Sequence, residues 1–440
     1  MAKRILMLGA GMVAGPLVDY ILTRTDFELN ISSLDVDRAK SLIGGRPRGT
    51  CRLLDVDDED TLAAKVAEAD LVISLLPYIY HVRVAEHCLT HGRPLVTTSY
   101  VSASMAALDG RAREAGLLFL NEIGFDPGVD HMSAMRIIDR ARARGGRVTG
   151  FRSYCGGLPA PEANTNPWGY KFSWSPRAVI LASGNAATYL EEGREVTISG
   201  EELFSDCRTV DVPGAGEFER YPNRDSLPYI ETYGLEGVET MFRGTLRNPG
   251  WCRTWLALSR LGFLAADRRD LGEISYREFC ARVMGTAGEN VKAEFAARAG
   301  LPEDSDVVGR LEWLGFFSDE PLPCPRAAPL DVLATRLEEK CAYEPGERDM
   351  IVLYHDFEIS YEGARREHVT STLVDYGVPG GDSAMARTVS LPAAIASRLI
   401  LEGRLALAGV RVPVMPEIYE PVMDELETLG IKCHERTEAA

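Results

Sequence analysis

The sequence lacks the patterns that mark a metal-binding or disulfide-stabilised protein. Its nine cysteines include no Cys-x-x-Cys pair and their number is odd, which argues against a disulfide framework and against a zinc ribbon or finger. The seven histidines are dispersed, and no His-Glu-x-x-His motif surrounds the closely spaced His87 and His91. We therefore expect no metal site.

Long apolar runs and excess positive charge are also missing. No uninterrupted apolar stretch reaches the roughly 18 residues of a membrane-spanning helix, and the first run, RILML, ends in glycines rather than at a cleavage site. With 48 basic and 65 acidic residues, the net charge of −17 disfavours binding to nucleic acid or anionic lipid. We expect a cytoplasmic protein, a homodimer, that acts on a small molecule and binds neither nucleic acid nor membranes.

The remaining composition is that of an ordinary globular protein. Hydrophobic residues make up 45 % and charged residues 26 % of the 440 positions, which excludes a disordered or collagen-like chain. This length corresponds to about two to four domains.

Alternating strands and helices occupy the first part of the chain. Apolar strand-length runs such as RILML and DLVISLLP alternate with helical patterns up to about residue 125. Because these strands are apolar on both faces, they require helices on both sides of a parallel sheet. The fold class predicted for residues 1–125 is a Rossmann-type, doubly wound α/β domain that binds a dinucleotide.

The pattern changes after this domain. Residues 126–251 and 346–380 are predicted to form a mixed α/β substrate domain, in which VTGFRSYCGGLP, GREVTISG and ETMFRGTLRN are antiparallel strands separated by long polar loops. Residues 252–345 read mostly as helices and predict a helical domain. Residues 381–440 begin with a long apolar helix and are expected to return to the first domain.

A glycine turn between the first strand and the first helix predicts the dinucleotide site. The G-x-G-x-x-A pattern consists of Gly9, Gly11 and Ala14 with Met12 and Val13 between them. The first glycine permits a tight turn, the second lets the backbone approach a pyrophosphate, and the alanine allows close packing of helix on strand.

Asp35 ends the second strand, where a carboxylate accepts hydrogen bonds from the adenosine ribose and repels a 2′-phosphate. It favours NAD over NADP, although the same aspartate can instead cap the following helix, and Arg38 is available to bind a phosphate. Further cofactor neighbours are expected at or near the strand ends, where ligands bind in such sheets: Ser33, Leu34, Asp55, Val56, Ser74, Leu75, Thr98, Ser99 and Phe125.

Several long motifs resemble the saccharopine reductase family, the saccharopine dehydrogenases that form L-glutamate. These are NEIGFDPGVDHMSAM, YCGGLPAPEANTNPWGYKFSWSPRAV, YPNRDSLPYIETYG, FRGTLRNPGW and MARTVSLPAAIASRLIL. The resemblance covers nearly the whole chain and implies an NAD(P)-dependent oxidoreductase that acts on a secondary amine. It implies that glutamate and 2-aminoadipate 6-semialdehyde condense to an imine, which the cofactor reduces to saccharopine. NADP-using members carry an arginine at the end of the second strand, where this chain has Ser33-Leu34-Asp35, so we favour NAD.

The resemblance also implies a catalytic group of Asp126, Cys155 and Tyr100. By position alone Asp126 is the strongest of these, because it follows the sixth strand at the nicotinamide end of the sheet. The alternatives are a turn-forming aspartate, a small buried cysteine and a core tyrosine. We interpret His131 as a structural histidine, and Lys171 as a weaker candidate for proton transfer.

Substrate carboxylates require fixed cations, and the planar guanidinium of arginine binds a carboxylate through two hydrogen bonds. The candidate substrate ligands are Arg224, Thr245 and Arg247, with Tyr100, Asp126 and Trp174. Exposed arginines and a packing tryptophan are the alternatives. Two other functions stay open: an imine reductase such as carboxynorspermidine dehydrogenase, and a dinucleotide-binding protein without catalysis.

Overall fold

The computed structural model describes residues 2–174 and 176–439. The strands are β1 Arg4–Leu8, β2 Glu28–Ser33, β3 Gly49–Leu53, β4 Leu71–Ser74, β5 Leu95–Thr97, β6 Leu118–Leu120, β7 Arg147–Pro159, β8 Ala187–Glu191, β9 Arg194–Ile198, β10 Arg208–Val212, β11 Gly216–Pro222, β12 Thr240–Arg247, β13 Arg269–Asp270, β14 Arg326–Ala327, β15 Asp349–Ser360, β16 Arg366–Tyr376, β17 Gly409–Arg411 and β18 His434–Ala439. The helices are α1 Gly15–Arg24, α2 Val36–Ile43, α3 Glu59–Glu68, α4 His81–His91, α5 Ala103–Ala106, α6 Asp109–Glu114, α7 Val129–Ala143, α8 Pro176–Ala182, α9 Pro228–Thr232, α10 Trp251–Arg260, α11 Tyr276–Met284, α12 Val291–Ala299, α13 Asp306–Leu314, α14 Pro329–Lys340, α15 Ala384–Leu401 and α16 Pro416–Thr428.

The chain divides into two compact units. The first contains the chain up to Arg147 together with Gly381–His434, and the second contains Val148–Gly380 and the chain from Glu435. The first unit extends beyond residue 125 because α7 packs against α16, where the Tyr419 hydroxyl donates to Asp139 at 2.7 Å. The end of the chain belongs to the second unit, since β18 pairs with β16.

A parallel sheet forms the centre of the first unit, as the sequence predicts. Its strand order is β17-β6-β5-β4-β1-β2-β3, and all of its pairs are parallel. The order reverses between β1 and β4, which is where the carboxyl ends of the strands open a ligand crevice. The four-residue strand β4 is buried on both faces, so its apolar run is explained by helices that cover the sheet on both sides.

Helix α15 packs against α1 in the first unit, where the Ser390 hydroxyl donates to the Val13 carbonyl oxygen. By length and composition α15 is also apolar enough to cross a membrane, but 72 % of it is buried inside the protein. Its apolar surface is explained by its place in the core.

A mixed sheet forms the centre of the second unit. Its order is β10-β11-β12-β7-β15-β16-β18, with β8 joined to β12 and β9. The antiparallel pairing expected of β7 and β12 is wrong, because these strands run parallel, whereas β11 is antiparallel to β12. The hairpin predicted at β15 and β16 is present.

Helices α10–α14 belong to the second unit because they share one aromatic core with the long loop before α8. This core contains Trp168 and Tyr170 from the loop and Trp255, Phe279 and Phe316 from the helical part. The loop is held further where Asn248 donates to the Gly169 carbonyl oxygen at 2.7 Å. A loop anchored by buried aromatic residues has a defined conformation rather than being a free flap.

Candidate active site

The glycine turn after β1 has the shape that a dinucleotide requires. Gly9 adopts a φ of +99°, and a Cβ there would lie 3.1 Å from the Leu75 carbonyl oxygen, so only glycine fits. A Cβ on Gly11 would meet no described atom within 4 Å, which leaves its backbone open to a ligand. Ala14 is fully buried at the start of α1. The turn therefore fits a pyrophosphate at the amino end of a helix.

Asp35 acts mainly as a helix cap. It is the N-cap of α2, and its Oδ1 accepts the Arg38 backbone N–H at 2.9 Å. The Arg38 guanidinium turns toward the glycine turn and donates to the Gly11 carbonyl oxygen at 3.3 and 3.4 Å. The predicted adenosine end of the site is therefore lined by the Arg38 cation, whereas the Asp35 carboxylate is occupied as a helix cap.

Three apolar side chains are exposed around the same edge of the sheet. Met12 in the turn, Leu34 after β2 and Leu53 at the end of β3 are each more than half exposed. Large apolar side chains exposed together commonly mark a binding surface, and here they surround the predicted adenosine end. Met12 and Leu34 were predicted cofactor neighbours, and Leu53 was missed.

A buried histidine links the strand ends where Ser74 and Ser99 were predicted to contact the cofactor. His81 Nδ1 lies 2.9 Å from Ser74 Oγ, and its Nε2 lies 2.8 Å from Ser99 Oγ and 3.1 Å from Thr97 Oγ1. His81 is 4 % exposed, and burial lowers its pKa to about 4. A neutral ring therefore bridges the ends of β4 and β5. Sequence reasoning missed His81, although a histidine that opens the helix after an apolar strand is a detectable signal.

We expect the His81 bridge to make the stability of the first unit depend on pH. In the unfolded chain a histidine has a pKa of about 6.5, so protonation favours unfolding as the pH falls from that value toward the folded pKa of about 4. The stabilisation is complete above about pH 6.5, and its loss amounts to about 3 kcal/mol at the acid end of this range. Urea denaturation at about pH 7.5 and about pH 5 measures the effect.

The His81→Asn variant should show a smaller stability difference between the two pH values than the wild type. His91→Gln, at the last residue of the same helix, is the matched control and should keep the wild-type difference. An equal pH dependence in His81→Asn and the wild type would contradict the assignment.

Asp126 and Tyr100, two of the predicted catalytic residues, are in direct contact. The Tyr100 hydroxyl donates to Asp126 Oδ1 at 2.7 Å. Asp126 is the one residue between 121 and 130 that is not fully buried, so its carboxyl group is presented by an otherwise buried loop. Phe125, a predicted cofactor neighbour, lies in the core beneath it. An accessible carboxylate that accepts a hydrogen bond from a phenol hydroxyl can accept and return a proton.

The loop that carries Asp126 is tightly constrained. A Cβ on Gly128 would lie 2.1 Å from the Gly124 carbonyl oxygen, so a side chain is excluded. Glu122 joins this loop to the loop of Tyr100, since its Oε1 accepts the Val101 N–H at 2.8 Å. The buried His131 contacts the other Glu122 oxygen at 2.9 Å, in agreement with the structural role expected of it. These bonds hold the Asp126 and Tyr100 loops together.

Cys155, Thr245 and Arg247 share a region of the sheet in the second unit. Thr245 of β12 is the register partner of Cys155 on the parallel strand β7 and of Tyr221 on the antiparallel strand β11. Arg247 follows two residues later, on the same face as Thr245. The structure therefore brings together one predicted catalytic residue and two predicted substrate ligands.

Arg247 is buried without a carboxylate partner among the described residues. Its side chain is 6 % exposed, its Nη1 donates to the Leu246 carbonyl oxygen at 2.8 Å, and its Nε has no hydrogen-bond partner. The guanidinium carbon lies 5.0 Å from the Tyr170 ring and 5.2 Å from the Trp251 ring. Two aromatic rings therefore orient a cation whose hydrogen-bond donors are largely unused.

Glu219 lies opposite Arg247 on the neighbouring strand β11 and is the acid that could have paired with it. Its carboxylate is engaged elsewhere. The two Glu219 carboxylate oxygens accept the backbone N–H groups of Gly250 and Cys252 at 2.7 and 2.8 Å. The carboxylate thus caps the amino end of α10, where negative charge is favourable. A buried cation left without an acid is costly to the fold and is well suited to an anionic ligand.

The other candidates in the second unit have different surroundings. Arg224 is exposed and has a φ of +57°. The backbone N–H of its neighbour Asn223 donates to the carbonyl oxygen of Arg243, which precedes Arg247 by four residues on β12. Trp174 is partly buried and packs against the aromatic core, so its role as a packing anchor is supported. Lys171 is 4 % exposed and donates to Glu347 at 2.7 Å, which gives it a structural ion pair.

Comparison with known proteins identifies the family. The family model of the saccharopine dehydrogenase NADP binding domain matches residues 5–120, and that of the saccharopine dehydrogenase C-terminal domain matches residues 124–431. The chain is 40 % identical over 449 residues to the saccharopine dehydrogenase (NADP(+), L-glutamate-forming) of Pyricularia oryzae, with 99 % of both chains covered. It superimposes on the apo saccharopine dehydrogenase (L-Glu forming) of Saccharomyces cerevisiae with a TM-score of 0.90 and 38 % identity, covering 100 % of both chains.

A longer relative contains the same region. The chain is 36 % identical to the mitochondrial alpha-aminoadipic semialdehyde synthase of Bos taurus. The matched region covers 98 % of this chain but 47 % of that protein.

The comparisons contradict the preference for NAD over NADP that was based on Asp35. The matching family model is named for NADP binding, and the similar fungal enzymes are named as NADP(+) enzymes. The physical reason is that Asp35 caps α2, while Arg38 supplies a cation next to Gly11. The family, the fold class and the oxidoreductase activity on CH–NH donors that the sequence predicts are confirmed: the chain belongs to the saccharopine dehydrogenase family.

Proposed function

We propose that this protein is an NADP-dependent saccharopine dehydrogenase. It catalyses the reversible reductive condensation of L-glutamate with 2-aminoadipate 6-semialdehyde to saccharopine. The observation that carries this proposal beyond family membership is the buried guanidinium of Arg247, which has no carboxylate partner among the described residues and lies near the Tyr170 and Trp251 rings. Saccharopine carries three carboxylates, and a planar arginine fork matches a carboxylate.

The cofactor, when bound, supplies or accepts the hydride. Gly9, Gly11 and Ala14 of the turn and the amino end of α1 would hold its pyrophosphate, and Arg38 would bind a ribose phosphate. These roles follow from the open backbone at Gly11 and from the cation that faces it.

The protein's own contribution to the chemistry is proton transfer and substrate orientation. Asp126 holds or accepts the proton that moves when the carbinolamine loses water or the imine gains it, and the Tyr100 hydroxyl orients the carboxylate from 2.7 Å. Arg247 orients a substrate carboxylate. The roles predicted for Cys155, Arg224, Thr245 and Trp174 stay predictions, as do the cytoplasmic location and the homodimer.

The test of this function is a turnover assay of the purified protein. With saccharopine and NADP+ we expect NADPH to form, measured by its absorbance at 340 nm, and L-glutamate to appear in equal amount. Turnover of carboxynorspermidine instead would replace the substrate assignment, and tight cofactor binding without turnover of either secondary amine would support a binding protein without catalysis. Of the two alternatives, carboxynorspermidine dehydrogenase is disfavoured by Arg247, because the distal amine of its substrate would lie next to a buried cation.

We expect Arg38 to contribute to the use of NADPH. Arg38→Ala removes the guanidinium beside Gly11 and should lower kcat/KM for NADPH by about tenfold or more, the range of a hydrogen bond to a charged group. The value for NADH should change much less, since it has no 2′-phosphate. Steady-state kinetics with both cofactors measure the ratio of kcat/KM for NADPH to kcat/KM for NADH.

Lys40→Ala is the matched control for Arg38. Lys40 lies on the same helix and pairs with Asp37 at 3.0 Å, so its loss should leave the cofactor ratio unchanged. An equal loss with NADPH and NADH in Arg38→Ala would show that Arg38 supports the turn without contacting the phosphate.

A further inference from the structure

Two cysteines and a glutamate form a cluster in the second unit that the proposed reaction does not use. The sulfur atoms of Cys207 and Cys252 and a carboxylate oxygen of Glu219 all lie within 4.8 Å of one another. Cys207 directly precedes β10, and Cys252 lies in the first turn of α10. The fold therefore brings together two thiols that are far apart in the sequence.

The two thiols differ in accessibility. Cys252 is 1 % exposed, whereas Cys207 is partly exposed. The contact with Cys207, burial and the nearby Glu219 carboxylate all raise the pKa of the Cys252 thiol well above its usual value. Reagents in solvent therefore reach Cys207 first, and Cys252 stays a protonated thiol behind it.

We propose that Cys207 and Cys252 form a reversible intrachain disulfide when the protein meets a low-molecular-weight disulfide such as oxidised glutathione. The Cys207 thiolate attacks one sulfur of the oxidant, forming a mixed disulfide and releasing one glutathione thiolate. The Cys252 sulfur then attacks Cys207 Sγ and releases the second glutathione. The Cys252 proton passes to the Glu219 carboxylate and on to solvent, so the protein loses two electrons and two protons and the oxidant gains them.

A disulfide accounts for this cluster better than a metal ion does. Both Glu219 oxygens already accept backbone N–H bonds, at 2.7 and 2.8 Å, and the described cluster contains three ligand residues. A structural zinc site is closed by four ligands. Two neighbouring thiols, by contrast, need no further protein ligand to form an S–S bond, only an oxidant such as oxidised glutathione.

The disulfide would tie the first turn of α10 to the start of β10. Trp251, the residue before Cys252, lies 5.2 Å from the Arg247 guanidinium carbon. The covalent link therefore connects two segments: the start of α10, whose Trp251 ring orients Arg247, and the start of β10. Closing a long loop should raise the melting temperature by a few degrees, because it restricts the unfolded chain.

The experiment treats the full-length protein with oxidised glutathione, alkylates the remaining thiols and maps the peptides by mass spectrometry. We expect a peptide pair joined through Cys207 and Cys252, lighter by two hydrogens and released by dithiothreitol. Cys324→Ser, which removes an exposed cysteine outside the cluster, should form the same link. Cys252→Ser should retain glutathione on Cys207.

Several results would overturn the proposal. Wild-type protein in which both thiols stay alkylatable, or in which Cys207 keeps glutathione and never joins Cys252, would exclude the disulfide. One equivalent of zinc bound by the untreated protein and lost in Cys207→Ser would assign the cluster to a metal instead. Because the peptide map is read on the wild type, the proposal is testable even if a variant fails to fold.

Discussion

The Asp126→Ala variant is expected to lose at least about 100-fold in kcat while it retains its affinity for NADPH. General acid–base groups contribute about 10²–10⁴-fold, and Asp126 is the accessible carboxylate of a buried loop, bonded to the Tyr100 hydroxyl at 2.7 Å. The measurement is steady-state kinetics with saccharopine over a range of pH, together with a titration of NADPH binding. Loss of the acid–base group should also remove one limb of the pH–rate profile.

Tyr100→Phe is the matched variant for this prediction. It removes the hydrogen bond and keeps the ring, so kcat should fall less than in Asp126→Ala. The two residues share one bond, so the double variant should be little worse than Asp126→Ala alone. Cys155→Ser should also cost less, because a hydroxyl still forms hydrogen bonds. Near-normal kcat of Asp126→Ala at every pH would make Asp126 a turn residue and move the proton transfer to Cys155 or Tyr100.

The second large effect is expected at Arg247. Arg247→Met should raise KM for saccharopine by about 10- to 150-fold, which corresponds to the loss of a hydrogen bond to a charged group. The melting temperature should stay the same or rise, because the guanidinium is 6 % exposed and has no carboxylate partner among the described residues. Affinity for NADPH should not change. Kinetics, cofactor titration and thermal denaturation of one preparation provide the three measurements.

Arg220→Met is the control for Arg247, with the opposite expectation. Arg220 is also buried and lies on the neighbouring strand β11, but it pairs with Asp206 at 2.9 Å. Removing one partner of a buried pair leaves the other charge unpaired, so the melting temperature should fall, while KM should change little. If Arg247→Met lowered the melting temperature as much as Arg220→Met and left KM unchanged, Arg247 would be a structural residue.

The parallel sheet and the glycine turn were predictable because local sequence determines them. A strand that is apolar on both faces must be buried on both faces, and Gly9 is required by a φ of +99° within a tight turn. The position of Asp126 was predictable for a related reason, since a side chain that follows a strand of such a sheet lies at its carboxyl edge. Its contact with Tyr100 links the ends of adjacent strands, β5 and β6.

The cofactor preference was not predictable from Asp35, because the same residue type serves two purposes. A carboxylate at the end of β2 can bind a ribose or cap α2, and the two uses have the same sequence pattern. In the structure Asp35 caps the helix, and Arg38 reaches the Gly11 carbonyl oxygen. A local motif therefore predicted the turn that fits a pyrophosphate, but not the side-chain orientations that discriminate between cofactors.

The alternation of strands and helices up to about residue 125, the nucleotide turn and the family motifs were predictable, because each of these depends on neighbouring residues. Which charged groups are paired, by contrast, depends on how the chain folds. Arg247 and Arg220 are both strand arginines, yet Asp206 pairs with Arg220, while Glu219 turns from Arg247 to the amino end of α10. Burial and pairing depend on residues distant in the sequence, and for a charged side chain they decide whether it stabilises the fold or remains available to bind an anionic substrate.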